Sequence, residues 1–332
     1  MSAVVSTGVE PESADRPPVS GRQAARLHEA FATAAAVASA SELGVFAILE
    51  QRPADPVTIA GACGVTERGA QALLAALAGL RLVERLENGR YRPTSSGLAS
   101  FGTLLESWRS ISTALRGEPR QGGDTVAGAA SLYPGLVAQL GTMFAESAER
   151  AAEFLTEPGQ RVLDVGAGAA PWSIALARRD PRCRVTAVDL PGVLRQTRLA
   201  VRAAELESRY RLVPGDAFHI EMGAAEGYDL ALAANLFHLF DEEANRKMIR
   251  RLAGSLRLGG RIAIIDVVPN ERLDGPRGAV LYGLGLLQRT GTGTIYPYSA
   301  YRRWLEEVGF EEARRRAIGG PLPLTLITAR LR

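Results

Sequence analysis

The 332-residue sequence holds a single lysine, Lys247, against 38 arginines, with two cysteines, three histidines and 6% aromatic residues. No apolar run approaches the roughly 18 residues that cross a bilayer, which argues against a spanning helix and a membrane partner. The N-terminus is polar, with Pro11, Pro17 and Pro18, and lacks the basic-then-apolar order of a signal peptide. The expected location is therefore the cytoplasm. Cys63 and Cys183 lie far apart and outside any metal-ligand spacing. They read as small buried hydrophobes rather than a disulfide or a zinc site, and no metal is expected. The net charge of +3 is weak for a chain of this length, although the isoelectric point is near 9.1. A nucleic-acid partner needs a local cationic patch; scattered arginines on solvated helix faces account for this balance.

Hydrophobic residues at 46% and charged residues at 23% suit a globular chain, and the length suits two domains. Residues 1–20 are rich in Ser, Pro and Glu and read as a disordered tail. From Gln23 to Leu49 apolar residues recur at helical spacing, with Ser41 placed to cap a second short helix. Pro56 opens a helix that stops near Gly64, and Thr66 caps another from Glu67 to about Leu80. A hairpin follows, Leu82–Leu86 and Arg90–Pro93 about the turn Asn88-Gly89. Helix, turn, helix and hairpin outline a winged-helix-like domain over residues 21–100. Residues 101–156 read as a helical connector, with helices over 102–116 and about 131–156.

Beyond Gly159 the period changes. Short apolar strands are expected at Arg161–Val165, Arg184–Val188, Tyr210–Val213, Tyr228–Ala233 and Gly260–Asp266. Helices around Trp172–Arg179, Val193–Glu205 and Asp241–Leu256 alternate with them. A helix at Ser299–Val308 and strands near Glu312–Ile318 and Leu322–Arg330 close the chain. The pattern predicts an α/β fold over residues 157–332: a Rossmann-like, doubly wound sheet.

The first of these strands runs into Asp164-Val165-Gly166-Ala167-Gly168-Ala169-Ala170-Pro171. Small residues here let backbone approach a ligand. A nicotinamide fingerprint needs a third glycine where Pro171 stands, and it does not call for the acid at Asp164. Acids and carbonyls suit a cationic cofactor better than a pyrophosphate. Asp189-Leu190 follows the second strand, where a carboxylate can accept both ribose hydroxyls. Asp216-Ala217-Phe218 follows the third, offering an acceptor for an adenine amine and a ring to stack on it. Asn235 follows the fourth. Each residue alone is an ordinary turn or cap; four in strand order point to S-adenosylmethionine.

On these residues the sequence resembles the class I S-adenosylmethionine-dependent small-molecule O-methyltransferases, the family of caffeate-type and bacterial polyketide-tailoring enzymes. The resemblance covers nearly the whole chain after residue 20, including the ending Tyr301-Arg302-Arg303-Trp304-Leu305-Glu306-Glu307-Val308-Gly309-Phe310. It implies a seven-stranded sheet, a homodimer formed through the N-terminal domain, S-adenosylhomocysteine as product, and methyl transfer to a hydroxyl of an aromatic or polyketide-like metabolite. It assigns the general base to His238 in Asn235-Leu236-Phe237-His238, oriented by Asp266. An imidazole can take a phenolic or enolic proton near neutral pH. Three positions depart from the family pattern: Ile295 stands where a second His-orienting acid is expected, Ala170 replaces a glycine, and Ala234 replaces a cation before Asn235. Met143, Phe237, Tyr282, Leu286 and Trp304 are candidate substrate-pocket residues.

The Ile295 departure keeps two alternatives open: C-methylation, and a cofactor-binding enzyme of other chemistry such as a cyclase, decarboxylase or hydroxylase. A winged-helix DNA-binding regulator is a more distant alternative. Its reading helix would be Thr66-Glu67-Arg68-Gly69-Ala70-Gln71-Ala72-Leu73-Leu74-Ala75, whose one cation opposes Glu67.

Overall fold

The computed structural model describes residues 20–95, 98, 108–117, 122–223 and 226–332. The tail expected over residues 1–20 lies, apart from Ser20, outside the described residues, as does the start of the helix expected over 102–116. The chain divides into two units, one ending at Arg109 and the other running Ser110–Arg332.

The first unit carries helices Gly21–Glu42, Val45–Gln51, Pro56–Cys63 and Glu67–Gly79, and a hairpin of β1 (Val83–Arg85) and β2 (Tyr91–Pro93). Ser41 does not cap the second helix; it lies inside the first. The break falls at Gly44, whose φ of 72° is a left-handed turn that glycine adopts without Cβ strain. The next two helices start as their capping residues predict. The Asp55 carboxylate accepts from the Thr58 N–H at 2.8 Å, and the Thr66 hydroxyl accepts from the Gly69 N–H at 3.1 Å. Phe46, Leu49, Ile59, Leu74, Leu77 and Tyr91 fill the core. Helix Glu67–Gly79 thus turns Ala70, Leu74 and Leu77 inward. Helix Gly21–Glu42 buries only Ala40 and leaves Phe31 71% exposed, an apolar face without a partner in this unit.

The second unit is a seven-stranded sheet of β3 (Arg161–Val165), β4 (Arg184–Asp189), β5 (Tyr210–Pro214), β6 (Tyr228–Ala234), β7 (Leu256–Val267), β8 (Phe310–Ala317) and β9 (Leu324–Leu331). Their order is β5-β4-β3-β6-β7-β9-β8. The first five are parallel, while β9 runs antiparallel to both β7 and β8. The chain winds outward from β3 to β5 and returns to β6 on the other side. That reversal opens a crevice at the C-terminal strand ends, the usual ligand position in such sheets. One face of the sheet packs on helices Val126–Leu155 and Pro171–Arg179, and the other on Glu242–Ser255 and Tyr298–Glu306.

Helix Val126–Leu155 begins before the expected residue 131 because Thr125 caps it, accepting from the Gly128 N–H. Strand β7 is longer than expected. Helix Arg277–Leu286 was not expected from the sequence; Gly278, Gly283 and Gly285 lower its helix propensity and blur its apolar period. Among the described residues, no single helix is long and apolar enough to cross a membrane.

Candidate active site

A cavity of about 780 Å³ opens at the C-terminal ends of β3, β4, β5 and β6. Its walls include Gly166 and Gly168 after β3, Asp189 and Leu190 at β4, Asp216, Ala217 and Phe218 after β5, and Asn235 after β6. These are eight of the nine residues expected to hold the cofactor. Such a volume falls in the usual range for ligand pockets, roughly 300–1,000 Å³.

The loop after β3 needs its glycines. Gly166 and Gly168 take φ of 69° and 58°, and a Cβ on them would press on Leu236 and Val137 at 3.1 and 3.3 Å. Ala170 takes φ 54° without being glycine, so the departure at this position carries backbone strain. Asp189 ties the loop to β4: its carboxylate accepts from the Gly168 N–H at 2.8 Å and the Leu190 N–H at 2.7 Å. Lone pairs remain on both oxygens for incoming hydroxyls. Burial pushes its pKa up to about 6, against the pull of those two N–H groups.

Asp164 does not reach the cavity wall. It is buried beneath the loop, accepting from the Ser173 hydroxyl at 2.5 Å, which in turn accepts from Tyr210 at 3.0 Å. Burial raises it to about 7, Ser173 lowers it, and the nearby Asp189 charge adds to the rise. The two carboxylates thus lie where a bound cation would stabilise both in the charged form.

At the adenine-side expectation, Asp216 accepts from the Phe218 N–H at 2.9 Å and meets the His219 ring at 2.5 Å. Phe218 packs edge-on to Phe240, with the Lys247 ammonium 5.7 Å from its ring centre. Asn235 takes φ 53°, and its side-chain oxygen is buried without a hydrogen-bond partner. An orphaned acceptor in a cavity wall is costly unless a ligand satisfies it. This orphan, the glycine cradle and the acidic donor set fit S-adenosylmethionine.

His238 and Asp266 come together although 28 residues separate them. The short helix Phe237–Leu239 and the end of β7 place imidazole Nδ1 2.6 Å from Asp266 Oδ1. Asp266 also accepts from the backbone N–H of His238 and Val267 at 3.2 and 2.8 Å, and from the Tyr301 hydroxyl at 3.4 Å. A carboxylate facing so many donors acts as acceptor, so Nδ1 carries the imidazole proton and Nε2 is the basic nitrogen. Nε2 accepts from the Tyr282 hydroxyl at 2.9 Å. His238 is 2% exposed, and neither it nor Asp266 lines the cavity.

The expected pocket residues scatter. Phe237, Leu286 and Trp304 are fully buried packing residues: Trp304 stacks edge-on with Tyr296 and Tyr301 and donates to Glu242. Met143 is 38% exposed and off the cavity wall, though its helix neighbours Gly141 and Phe144 line it. Tyr282 alone reaches the dyad. Ile295 lies against Gly283 in an apolar setting and offers His238 no carboxylate. Sequence reading missed Tyr133, whose buried hydroxyl has no partner in the cavity wall, and the Asp124 carboxylate that accepts from the Gly291 and Thr292 N–H groups at 2.8 and 3.0 Å. Lys247, the sole lysine of the sequence, also lines the cavity, which no spacing in the sequence indicates.

Comparison with known proteins identifies the family. Residues 130–311 match the O-methyltransferase domain, and residues 25–99 match the O-methyltransferase dimerisation domain. The chain is 28% identical over 309 residues to 3-hydroxy-5-methyl-1-naphthoate 3-O-methyltransferase of Streptomyces sahachiroi, covering 85% of this chain and 87% of that protein. It is 25% identical over 325 residues to the tetracenomycin polyketide synthesis 8-O-methyl transferase TcmO of Streptomyces glaucescens, covering 91% and 94%. The crystal structure of human N-acetylserotonin methyltransferase in complex with S-adenosylmethionine has the same fold, with a TM-score of 0.71 at 23% identity over 93% of this chain and 98% of that one. The chain belongs to the O-methyltransferase family and is an S-adenosylmethionine-dependent methyltransferase.

Proposed function

We propose that the enzyme methylates a phenolic-type hydroxyl of an aromatic or polyketide-like metabolite, with His238 as general base and Asp266 orienting it. The observation that carries this reading is the buried 2.6 Å His238–Asp266 contact, which leaves Nε2 as the proton acceptor. The substrates named for the two Streptomyces relatives, a hydroxynaphthoate and a tetracenomycin-type polyketide, support the acceptor class.

Bound S-adenosylmethionine supplies a methyl group on a sulfonium and leaves as S-adenosylhomocysteine. Asp189 would take the ribose hydroxyls, Asp216 the adenine amine, Phe218 the adenine face and Asn235 a polar group of the donor. Asp164 would add negative charge under the loop. His238 removes the hydroxyl proton as the acceptor oxygen forms its bond to carbon, and Asp266 stabilises the imidazolium that results. The cavity aligns the two reactants, which by itself lowers the barrier to in-line displacement.

The exposed apolar face of helix Gly21–Glu42, with Leu27 and Phe31, supports a homodimer built through the first unit. Phe31→Glu is expected to shift the mass measured by light scattering from dimer to monomer. C-methylation is the second reading, favoured by the apolar Ile295 where a second acid is expected. Incubation with methyl-labelled donor and a panel of hydroxynaphthoates and anthraquinone phenols, followed by mass spectrometry and NMR, separates the two. Label on oxygen is expected; label on carbon, or on no acceptor, overturns the reading.

A further inference from the structure

We propose that a hollow at the N-terminal ends of β3, β4 and β5 is a binding site for a phosphate group, separate from the methyl-transfer cavity. Its volume is about 320 Å³, and it shares no lining residue with the cavity at the C-terminal strand ends. Nine residues line it: four are arginines, Arg161, Arg184, Arg209 and Arg211, and none is an acid. Thr186 and Ser208 add hydroxyls to the wall. The four cations are dispersed in the sequence, and only the fold brings them together. The inference does not depend on the assignment of the base.

Strand register explains the cluster. Arg161 on β3 stands opposite Arg184 on β4, and Thr186, two residues on, stands opposite Arg211 on β5. Residues two apart on a strand share a face, so Arg161, Arg184 and Arg211 rise from one side of the sheet. Further along the same rows Leu163, Val165 and Val188 are buried in the core. At the strand starts that cover is missing, and Arg184 and Arg211 are exposed. Like charges placed opposite one another on neighbouring strands destabilise the pairing. An anion between them reverses the sign of that interaction.

The guanidiniums are positioned but not neutralised. Arg209 Nη1 donates to the carbonyls of Ala177 and Asp180 at 2.5 and 3.1 Å. Arg184 Nη1 donates to the carbonyls of Pro181, Arg182 and Cys183 at 3.2–3.4 Å. Neutral carbonyls hold a side chain in place and leave its charge intact. Arg161 pairs with Glu226 at 2.7 Å, an acid that is 83% exposed. Arg211 has no hydrogen bond or ion pair among the described residues. Two other acids lie nearby, outside the lining. Asp229 accepts from the Arg161 backbone N–H and from Arg257, and Asp180, close to Arg209, accepts from the Gly159 and Arg182 N–H groups. A phosphate group has several charged oxygens, and arginine presents paired N–H donors that match them.

Calorimetry on the full-length protein tests this, in chloride buffer at fixed ionic strength with the methyl-transfer cavity filled by saturating S-adenosylhomocysteine. Inorganic phosphate and glycerol 3-phosphate are the probes. We expect saturable binding of one phosphate group per chain. Tighter binding of the ester identifies an organic phosphate as the ligand class, and equal binding identifies free phosphate. Arg184→Gln and Arg211→Gln should each weaken binding about 10-fold or more, the worth of a hydrogen bond to a charged group. Arg314→Gln, on β8 and outside the hollow, should leave binding unchanged. Arg184 also bonds to backbone, so Arg211→Gln, whose side chain holds nothing among the described residues, is the variant that separates lost binding from lost folding. No saturable binding beyond that of chloride overturns the proposal, and so does binding that both variants retain at full strength. An equal loss in Arg314→Gln overturns it as well, because the effect is then one of overall charge.

Discussion

The two ends of the proposed active site are built differently. The donor end is an open cradle of backbone at strand ends, with glycines at φ 69° and 58° and acids whose side chains brace the loop. The proposed acceptor end is a closed cluster, where His238, Asp266 and Tyr282 satisfy one another away from the cavity wall. The donor end is thus shaped before ligand arrives and has an orphaned acceptor waiting at Asn235. The cluster proposed as the base is preorganised by saturation, with every polar atom of the imidazole and its acid engaged. Changes at the first should alter affinity, and changes at the second should alter rate.

The largest break in that comparison is expected at Asp266. Asp266→Asn places an amide against the donors that the carboxylate now accepts from, and it disturbs the imidazole tautomer. Methyl transfer should slow on the order of 10²-fold or more, with donor affinity little changed by calorimetry. A matching loss of affinity would mean that the two ends are not separable. At the donor end, Asp189→Ala should weaken S-adenosylhomocysteine binding about 10- to 100-fold, the worth of lost hydrogen bonds to a charged group at roughly 1.5–3 kcal/mol. An unchanged affinity would remove Asp189 from the ribose role.

The raised carboxylates sharpen the comparison through pH. Burial pushes Asp189 and Asp164 up to about 6 and about 7, above the ordinary carboxylate range. Only their charged forms attract a sulfonium, so affinity for S-adenosylmethionine should rise as pH increases from 5 to about 8 and level off above. The stability of the ligand-free protein should move the other way. Folding retains protons that the unfolded chain releases near pH 4, so stability is greatest at the acid end of this window and declines toward pH 7. Asp164→Asn should flatten that decline in denaturant titrations at a series of pH values; a decline as steep as wild type would contradict the assignment. The smallest effect is expected at Lys247. Lys247→Met removes a cation 5.7 Å from the Phe218 ring, a contact of about 0.5–1 kcal/mol, and donor affinity should change no more than about fivefold.

The donor end was far more legible in the sequence than the acceptor end. Glycines and acids at strand ends follow from chain order alone, because a parallel sheet brings consecutive strand ends to one edge. Asp164 is legible from its place near the end of β3, just ahead of Gly166, although its carboxylate lies beneath the loop rather than in the cavity wall. Aromatic identity was a poor guide to the acceptor end. Phe237 and Trp304 sit on the inward faces of their elements, and no spacing distinguishes a core-facing aromatic from one facing a pocket. Tyr282 was singled out, but its role depends on a helix that glycines conceal and on a contact spanning 44 residues. The cap at Gly44 rather than Ser41 is the same lesson at small scale: a serine among helix formers has two uses, and the left-handed glycine decides between them.

The central claim is that donor binding and proton removal reside in separate parts of the site. Its most direct test pairs two readings on His238→Ala: S-adenosylhomocysteine affinity by calorimetry, and single-turnover methyl transfer to a hydroxynaphthoate. The account predicts affinity within about twofold of wild type and a rate reduced on the order of 10²-fold or more. A full rate, or a loss of affinity as large as the loss of rate, would contradict it.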